Sequence, residues 1–199
     1  MADRMEQMRQ IKDEILHLET SPLYAYRTEN NYYPVIGEGS HSANIMFIGE
    51  APGKNEAQQG RPFCGASGRV LDQLLESIGL QRADVYITNV VKDRPPENRD
   101  PTPEEIALYT PFLVRQINII QPRVIATLGR FAMDFVLDLF DIPEKGGKIS
   151  KMRGQVLDAQ AEYGAIHVVP LYHPAVALYN QSQRKTIEED FAVLKEFVT

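Results

Sequence analysis

Short apolar runs alternate with stretches of helical periodicity, and this alternation constrains the fold more than any other feature of the chain. The runs are rich in β-branched residues, and they predict buried strands at residues 45–49, 85–90, 124–128 and 167–171. Amphipathic helices are predicted at residues 3–19, 67–78, 103–120, 130–140 and 184–198. Strands that alternate with helices favour a parallel sheet covered on both faces. We therefore expect a three-layer α/β/α fold with a central, mostly parallel sheet of four or five strands.

The connecting segments carry weaker signals. The tetrapeptide TPEE at residues 102–105 has the pattern of a capping box with Pro at the first helical position. Residues 20–43 are rich in Tyr, Asn, Gly and Ser and predict an irregular wrap. Residues 143–153 predict a basic loop with glycines, and a fifth, short strand is predicted at residues 155–159.

The composition bounds the class of protein. With 199 residues and 43% hydrophobic content, we expect one domain over residues 1–199, on which residues 1–43 pack as a helix and wrap. No apolar run approaches the roughly 20 residues that span a bilayer, and the first 18 residues are charged throughout, so we expect a cytoplasmic protein and a monomer. The single cysteine, Cys64, excludes an internal disulfide and a Cys-rich metal site. A net charge of −6 excludes a wholly basic nucleic-acid coat but leaves room for a local basic groove.

Polar side chains and glycines follow the predicted strands where each strand ends. The first strand is followed by Glu50, the second ends near Asn89, and the fourth is followed by His173. In open parallel sheets, ligands bind beyond the carboxyl ends of the strands. We therefore expect a carboxylate, an amide and an imidazole to meet at one edge of the sheet, although each residue alone has an ordinary structural interpretation.

A planar ligand suits these residues better than a phosphate does. Neither a GxGxxG pattern nor a GK[ST] ending is present. Phe63 lies in a glycine-rich loop, and a flat ring beside the Asn89 amide matches a nucleobase. Uracil presents an N3–H donor beside an O4 acceptor, and cytosine presents the reverse. A wrong base would leave buried polar groups without hydrogen-bond partners, and each unpaired group would cost about 1–3 kcal/mol.

The order of the motifs GEAPG, GRPFCG, TNVVK, RPPENRDPTPEE, LG and HPA resembles the uracil-DNA glycosylase superfamily and is most similar to its family 4. The resemblance covers residues 44–198. It implies a monofunctional, metal-independent DNA repair enzyme of base excision repair. Such an enzyme flips uracil out of single- or double-stranded DNA and hydrolyses its N-glycosidic bond, leaving an abasic site.

The resemblance also implies roles for individual residues. His173 would stabilise negative charge near uracil O2, Phe63 would stack on the base, and Asn89 would read its N3–H and O4 edge. Glu50 is the candidate for the carboxylate that supports the cationic sugar or orients a water, and Glu56 is a weaker one. The turn that lines the pocket and offers backbone groups to O2 comprises Gly49, Ala51, Pro52 and Gly53.

One replacement leaves the position of the water open. Ala51 stands where the best-known family of the superfamily has an aspartate. Glu50, Asn89 or backbone groups therefore remain as alternatives for positioning the water.

Family 4 proteins usually hold a four-cysteine iron–sulfur cluster. The four corresponding positions here carry Leu18, Ser21, Asp93 and Tyr109. Because such clusters are held by thiolates, we expect no cofactor. We expect packing of the N-terminal helix and of Tyr109 to replace the structural role of the cluster.

Contacts with DNA are expected from two groups of residues. Leu178 or Tyr179, after the HPA motif, would fill the space that a flipped base vacates. The residues expected to contact phosphates are Lys148, Lys151, Arg153, Arg184 and Lys185.

Two other functions fit the same sequence. A glycosylase for hypoxanthine or xanthine would keep the pocket but change the base, and Ala51 with Gly53 leaves room for it. A catalytically decayed DNA-binding protein is the third alternative, and the presence of Glu50, Phe63, Asn89 and His173 weighs against it.

Overall fold

The computed structural model describes residues 3–198 and contains one mixed sheet. Within that range the strands are β1 (Glu38–Gly39), β2 (Ile45–Gly49), β3 (Tyr86–Asn89), β4 (Val124–Leu128), β5 (Leu157–Ala161) and β6 (Gly164–Leu171). Their order across the sheet is β1-β3-β2-β4-β6-β5. The four inner strands are mutually parallel, and the outer strands β1 and β5 run antiparallel to their neighbours.

The parallel centre agrees with the sequence prediction, but the sheet has six described strands where four or five were predicted. Strands β2 and β4 have the predicted bounds. Strand β6 starts earlier than predicted because it forms a hairpin with β5, in which Ala161 pairs with Gly164. The predicted strand at residues 155–159 is observed two residues later, as the antiparallel edge strand β5.

The helices cover both faces of this sheet. Their bounds are α1 (Arg4–Leu16), α2 (Tyr24–Glu29), α3 (Lys54–Gln59), α4 (Ala66–Ser77), α5 (Pro103–Ile120), α6 (Arg130–Leu139), α7 (Ile149–Met152), α8 (Val176–Tyr179) and α9 (Arg184–Ala192). Among the residues from 3 to 198, no helix combines the length and the apolar character needed to cross a membrane.

The predicted capping box is present at the start of α5. The Glu105 N–H donates to the Thr102 hydroxyl at 3.3 Å, and the Thr102 N–H donates to the Glu105 carboxylate at 2.9 Å. The helix predicted at residues 184–198 divides into α9 and a 3₁₀ turn at Val193–Phe197. The wrap and the basic loop are less irregular than expected, since they contain α2, β1 and α7.

Alternate strand residues contribute to two separate cores. Met46 and Ile48 of β2 belong to the core that includes residues of α1, α5 and α6. Ile45 and Phe47 belong to the other core, with residues of α4 and α9. Because successive side chains of a strand point to opposite faces, this division confirms the three-layer arrangement.

A buried polar network fastens the N-terminal segment to the rest of the domain. Arg27 Nη1 donates to both Asp93 carboxylate oxygens, at 3.0 and 3.1 Å, and to the Ile15 carbonyl. The Tyr109 hydroxyl donates to Asp93 and lies 2.9 Å from the Ser21 hydroxyl. The segment is therefore held by an ionic network as well as by the packing of α1 that the sequence predicted.

The Arg27–Asp93 pair lies almost entirely out of solvent. The side chains are 5% and 1% exposed, respectively. Burial raises the pKa of the Asp93 carboxyl, while the Tyr109 hydrogen bond and the Arg27 charge oppose that rise. Neither charge of such a pair is stable in a protein interior without the other.

We predict that Asp93→Asn lowers the free energy of unfolding by about 3–5 kcal/mol, because it leaves the Arg27 charge buried without its partner. Urea unfolding followed by circular dichroism measures this change. The matched control is Glu14→Gln, which removes an exposed ion pair between α1 and Arg115 of α5 and should change the value by less than about 1 kcal/mol. Equal effects of the two substitutions would contradict the importance of the buried pair.

Candidate functional site

A cavity of about 390 Å³ opens at the carboxyl edge of the parallel strands. Its position agrees with the expectation that residues following the strands converge there. The predicted site residues that line it are Glu50, Ala51, Pro52, Gly53, Phe63, Asn89 and His173. The structure therefore brings together seven of the eight residues that were predicted to bind the base or act on it.

Gly49, the eighth residue, lies behind the cavity and determines how closely its walls approach. Strand register places Gly49 beside Asn89. A Cβ at residue 49 would overlap the Asn89 side-chain oxygen and would meet the Phe63 ring at 2.9–3.0 Å. Only glycine at this position lets the amide and the ring come together.

Phe63 is buried although it lies in a glycine-rich loop. Its side chain is 6% exposed and packs with the core that includes α4. The ring nevertheless borders the cavity, and its centroid lies 5.5 Å from that of the His173 ring. One part of the ring belongs to the core while another faces the cavity, so the side chain is rigidly held at the wall.

Two residues that the sequence patterns did not indicate hold the Phe63 backbone. Phe63 has φ 49°, in the left-handed region, which a residue with a side chain adopts only when its surroundings hold it there. Arg82 donates to the Pro62 carbonyl at 2.9 Å and also to the Phe63 carbonyl. A Cβ at Gly68 would overlap the Phe63 carbonyl. Neither position shows this function in the sequence, because each approaches the Phe63 backbone only in the folded chain.

Glu56 has a structural task in the same loop. Its carboxylate accepts hydrogen bonds from the Cys64 N–H at 3.1 Å and the Gly65 N–H at 3.0 Å. The Cys64 thiol lies 3.7 Å from the same oxygen, so Cys64 makes a polar contact with Glu56. Burial and the Glu56 charge raise the pKa of the Cys64 thiol, which keeps it protonated and poorly nucleophilic.

Glu50 lines the cavity as a half-buried carboxylate. No hydrogen bond from the described residues fixes either of its oxygens, whereas the loop backbone engages one oxygen of Glu56, Oε1. Burial raises its pKa above the usual 4.5, and the Asp100 charge raises it further, while the Arg130 charge lowers it. Both oxygens of Glu50 are therefore available to a ligand.

The Asn89 amide is buried at the end of β3 and faces the cavity. Its side-chain nitrogen and oxygen form no hydrogen bond with other residues of the described range. A buried amide without partners is unfavourable, and a ligand that offers one donor and one acceptor would satisfy both atoms.

His173 presents one defined nitrogen to the cavity. The Ala175 N–H donates to Nδ1 at 3.1 Å, so the proton of the neutral ring lies on Nε2. Burial lowers the pKa of His173 below the usual 6.5, although the Glu56 charge opposes this. The ring is consequently neutral near pH 7 and offers Nε2–H as a hydrogen-bond donor.

Further lining residues come from the loop between β3 and α5, and the sequence patterns did not assign them. They are Pro95, Asn98 and Arg99. Arg94 holds the loop, since its guanidinium donates to the Tyr26 and Tyr32 hydroxyls at 3.0 Å and to the Asn98 side chain at 2.8 Å.

The predicted DNA-contacting residues lie in two regions. Leu178 and Tyr179 are exposed on α8, which begins three residues after His173, and their exposed fractions are 43% and 89%. Lys148 and Lys151 are exposed in and beside α7.

The other three predicted phosphate contacts have acidic partners in the structure. Arg153 is paired with Asp190 at 2.6 Å, Arg184 with Glu188 at 3.1 Å and Lys185 with Glu189 at 3.8 Å. Their predicted contact with DNA stays a prediction, and each would have to share or exchange its acidic partner to make it.

The side chains at the predicted cluster positions do not fit an iron–sulfur cluster. Ser21, Asp93 and Tyr109 form the network described above and offer no thiolate. Cys64 lies instead beside the cavity. Within residues 3–198, no group of three His, Cys, Asp or Glu side chains is placed to hold a metal ion.

Comparison with known proteins adds an independent line of evidence. The sequence model of the Uracil DNA glycosylase superfamily matches residues 36–196. The chain is 45% identical over 192 residues to a type-4 uracil-DNA glycosylase of Archaeoglobus fulgidus, covering 96% of this chain and 94% of the relative. It is 41% identical over 200 residues to one of Thermotoga maritima, covering 100% of this chain and 98% of the relative. A third type-4 uracil-DNA glycosylase, of Sulfurisphaera tokodaii, is 45% identical over 193 residues, covering 96% of this chain and 85% of the relative.

Proposed function

The chain belongs to the uracil-DNA glycosylase superfamily, and from this we propose that it removes uracil from DNA by hydrolysing the N-glycosidic bond. The product is an abasic site, the starting point of base excision repair. The observation that carries the proposal is the unpartnered Asn89 amide beside the Phe63 ring in a cavity at the sheet edge. Uracil supplies the flat face for the ring and the donor and acceptor for the amide.

The neutral His173 ring is suited to the departing base. When the bond between the sugar carbon and uracil N1 breaks, its electron pair stays on uracil, and negative charge develops on O2. Nε2–H of His173 would donate to that oxygen. Hydrogen-bond donors aimed at developing charge are often the largest contribution to catalysis.

Glu50 is suited to the opposite charge, which develops on the sugar. Its carboxylate lines the cavity without a fixed partner, so we propose that it supports the cationic sugar and orients the attacking water. The water oxygen would bond to the sugar carbon, and its proton would pass to the carboxylate. Glu56 is less suited because its oxygen already accepts two backbone hydrogen bonds.

We propose that α8 fills the gap left by the flipped base. Leu178 and Tyr179 expose apolar surface just beyond the His173 turn, and flipping requires compensation for lost stacking. Lys148 and Lys151 would contact phosphates, which position the protein on DNA without reading sequence. We propose that the protein acts on such DNA as a monomer.

We also propose that the protein works without an iron–sulfur cluster. The four positions where family 4 has cysteines carry Leu18, Ser21, Asp93 and Tyr109, and three of these join the buried network around Arg27. That network ties the N-terminal segment to the loop that begins at Asp93. The mechanism above involves no step through a cluster.

We predict that Asn89→Ala lowers the rate of uracil release by about tenfold or more, because the base loses hydrogen bonds worth about 1–3 kcal/mol each. The assay uses fluorescent oligonucleotides with one uracil, hypoxanthine or thymine, and alkali cleavage at abasic sites. The control is Asn118→Ala, whose amide contacts Glu162 on the surface and which should keep the wild-type rate. Strand breaks at hypoxanthine alone would favour the alternative base, and no breaks at all would contradict a glycosylase.

We predict opposite shifts in the acid limb of the pH profile for two neighbours of Glu50. Reaction needs ionised Glu50, so activity falls as pH decreases through its raised pKa. Asp100→Asn removes a charge that raises this pKa and should move the limb to lower pH, while Arg130→Gln removes one that lowers it and should move the limb to higher pH. Single-turnover rates between about pH 4 and 8 cover the range. Shifts in the same direction would contradict the role of Glu50.

We predict that purified protein contains less than stoichiometric iron and that an iron chelator leaves its unfolding midpoint unchanged, because the chain lacks the thiolates that hold such clusters. Elemental analysis and thermal unfolding test this. Cys64→Ser serves as the control and should leave the iron content unchanged. Stoichiometric iron in the wild-type protein would contradict the proposal, and its loss in Cys64→Ser would identify Cys64 as a ligand.

A further inference from the structure

Lys92 is fully buried beneath the end of β3 and takes no part in the reaction described above. Its ammonium nitrogen lies 2.7 Å from the Thr88 hydroxyl oxygen, 2.7 Å from the Asn89 carbonyl oxygen and 2.6 Å from the Gln116 side-chain oxygen. The side chain does not line the cavity, but it is bonded to the backbone of the residue whose amide does.

In the observed network all three partners accept a hydrogen bond from Lys92. The Thr88 hydroxyl donates its own proton to the Ile36 carbonyl at 2.7 Å. The Gln116 amide nitrogen donates to the same carbonyl at 2.9 Å, so its oxygen faces Lys92. Three acceptors need three N–H groups, which an ammonium has and a neutral amine lacks. The hydrogen-bond geometry therefore favours the charged form of Lys92.

This charge has no acidic partner. The three acceptors are uncharged, and no carboxylate of residues 3–198 forms an ion pair with Lys92. The neighbouring Asp93 carboxylate is engaged by Arg27 and Tyr109. Burial lowers the pKa of Lys92 well below its ordinary value, as expected for an unpaired charge in a protein interior. The short hydrogen bonds oppose this effect.

We propose that Lys92 is a positioning residue that holds an uncompensated positive charge beneath Asn89, where it stabilises the negative charge of the departing base. The inference rests on the proposed release of uracil, since that step creates an anion in the cavity. A charge fixed in place before reaction needs no rearrangement as the anion forms, and low surrounding polarity strengthens its effect. His173 acts by hydrogen bonding at one edge of the base, whereas Lys92 acts through its charge without touching the base.

The two possible roles of Lys92, charge and structural support, differ in how they depend on the leaving group. The fluorine of 5-fluorouracil withdraws electrons, so this base leaves as an anion more easily and depends less on stabilisation by the protein. Loss of the Lys92 charge should therefore slow release of uracil more than release of 5-fluorouracil. Loss of structural support should slow both by the same factor.

Three variants separate these effects. Lys92→Met removes the charge and its hydrogen bonds. Gln116→Glu keeps Lys92 and its contact, but makes the net charge of the pair zero, whichever partner holds the proton. Gln116→Met is the matched control, because it removes the contact and leaves the Lys92 charge in place.

The experiment measures single-turnover release from oligonucleotides that carry one uracil or one 5-fluorouracil. We expect Lys92→Met and Gln116→Glu to slow uracil release about tenfold or more. For 5-fluorouracil release we expect a slowing factor that is smaller than the factor for uracil by about threefold or more. Gln116→Met should change both rates by one common factor.

Equal slowing of the two bases by Gln116→Glu, or no slowing, would overturn the inference. Gln116→Glu decides the outcome if Lys92→Met does not fold, as judged by circular dichroism. Release of uracil by the wild-type protein tests the proposed function itself. If the wild-type protein releases uracil but the variants slow both bases equally, only the inference about Lys92 fails.

Discussion

The parallel pairing of β2 with β3 is the constraint on which the cavity depends. It places Gly49 beside Asn89 at the same edge of the sheet, and the absence of a side chain at Gly49 leaves space for the Phe63 ring. The ring and the amide are thus two walls of one cavity. The Asn89 backbone is held by the sheet and the Phe63 carbonyl by Arg82. Walls that are held before a ligand arrives reduce the entropy lost in ordering the site on binding.

The architecture and most of the site followed from local patterns in the sequence. The four inner strands and five long helices have periodicities that report burial directly, and Glu50, Asn89 and His173 follow strands whose direction is fixed by the alternation. The edge strand β1 was not predicted, because it has only two residues. The edge strand β5 was predicted two residues too early, because its bounds are set by pairing with β6. The burial of Phe63 was also missed, since α4 covers the glycine-rich loop only in the folded chain.

The residues that sequence patterns missed act at a distance along the chain. Arg82 holds a carbonyl nineteen residues away, and Arg94 joins a cavity loop to tyrosines more than sixty residues earlier. Lys92 stands in an apolar run and resembles an ordinary strand end until its three acceptors are seen. A contact of this kind leaves no periodicity in the sequence, because it depends on how helices, strands and loops pack together and not on the secondary-structure preference of each residue.

The network around Arg27 has a consequence for how the protein is made and kept intact. Its contacts join nitrogen and oxygen atoms alone, so they form as the chain folds, without delivery of a metal or maturation by other proteins. Peroxide, which attacks thiolates, has no target within them. The fastening of the N-terminal segment is therefore indifferent to the redox conditions under which oxidative damage to DNA itself accumulates.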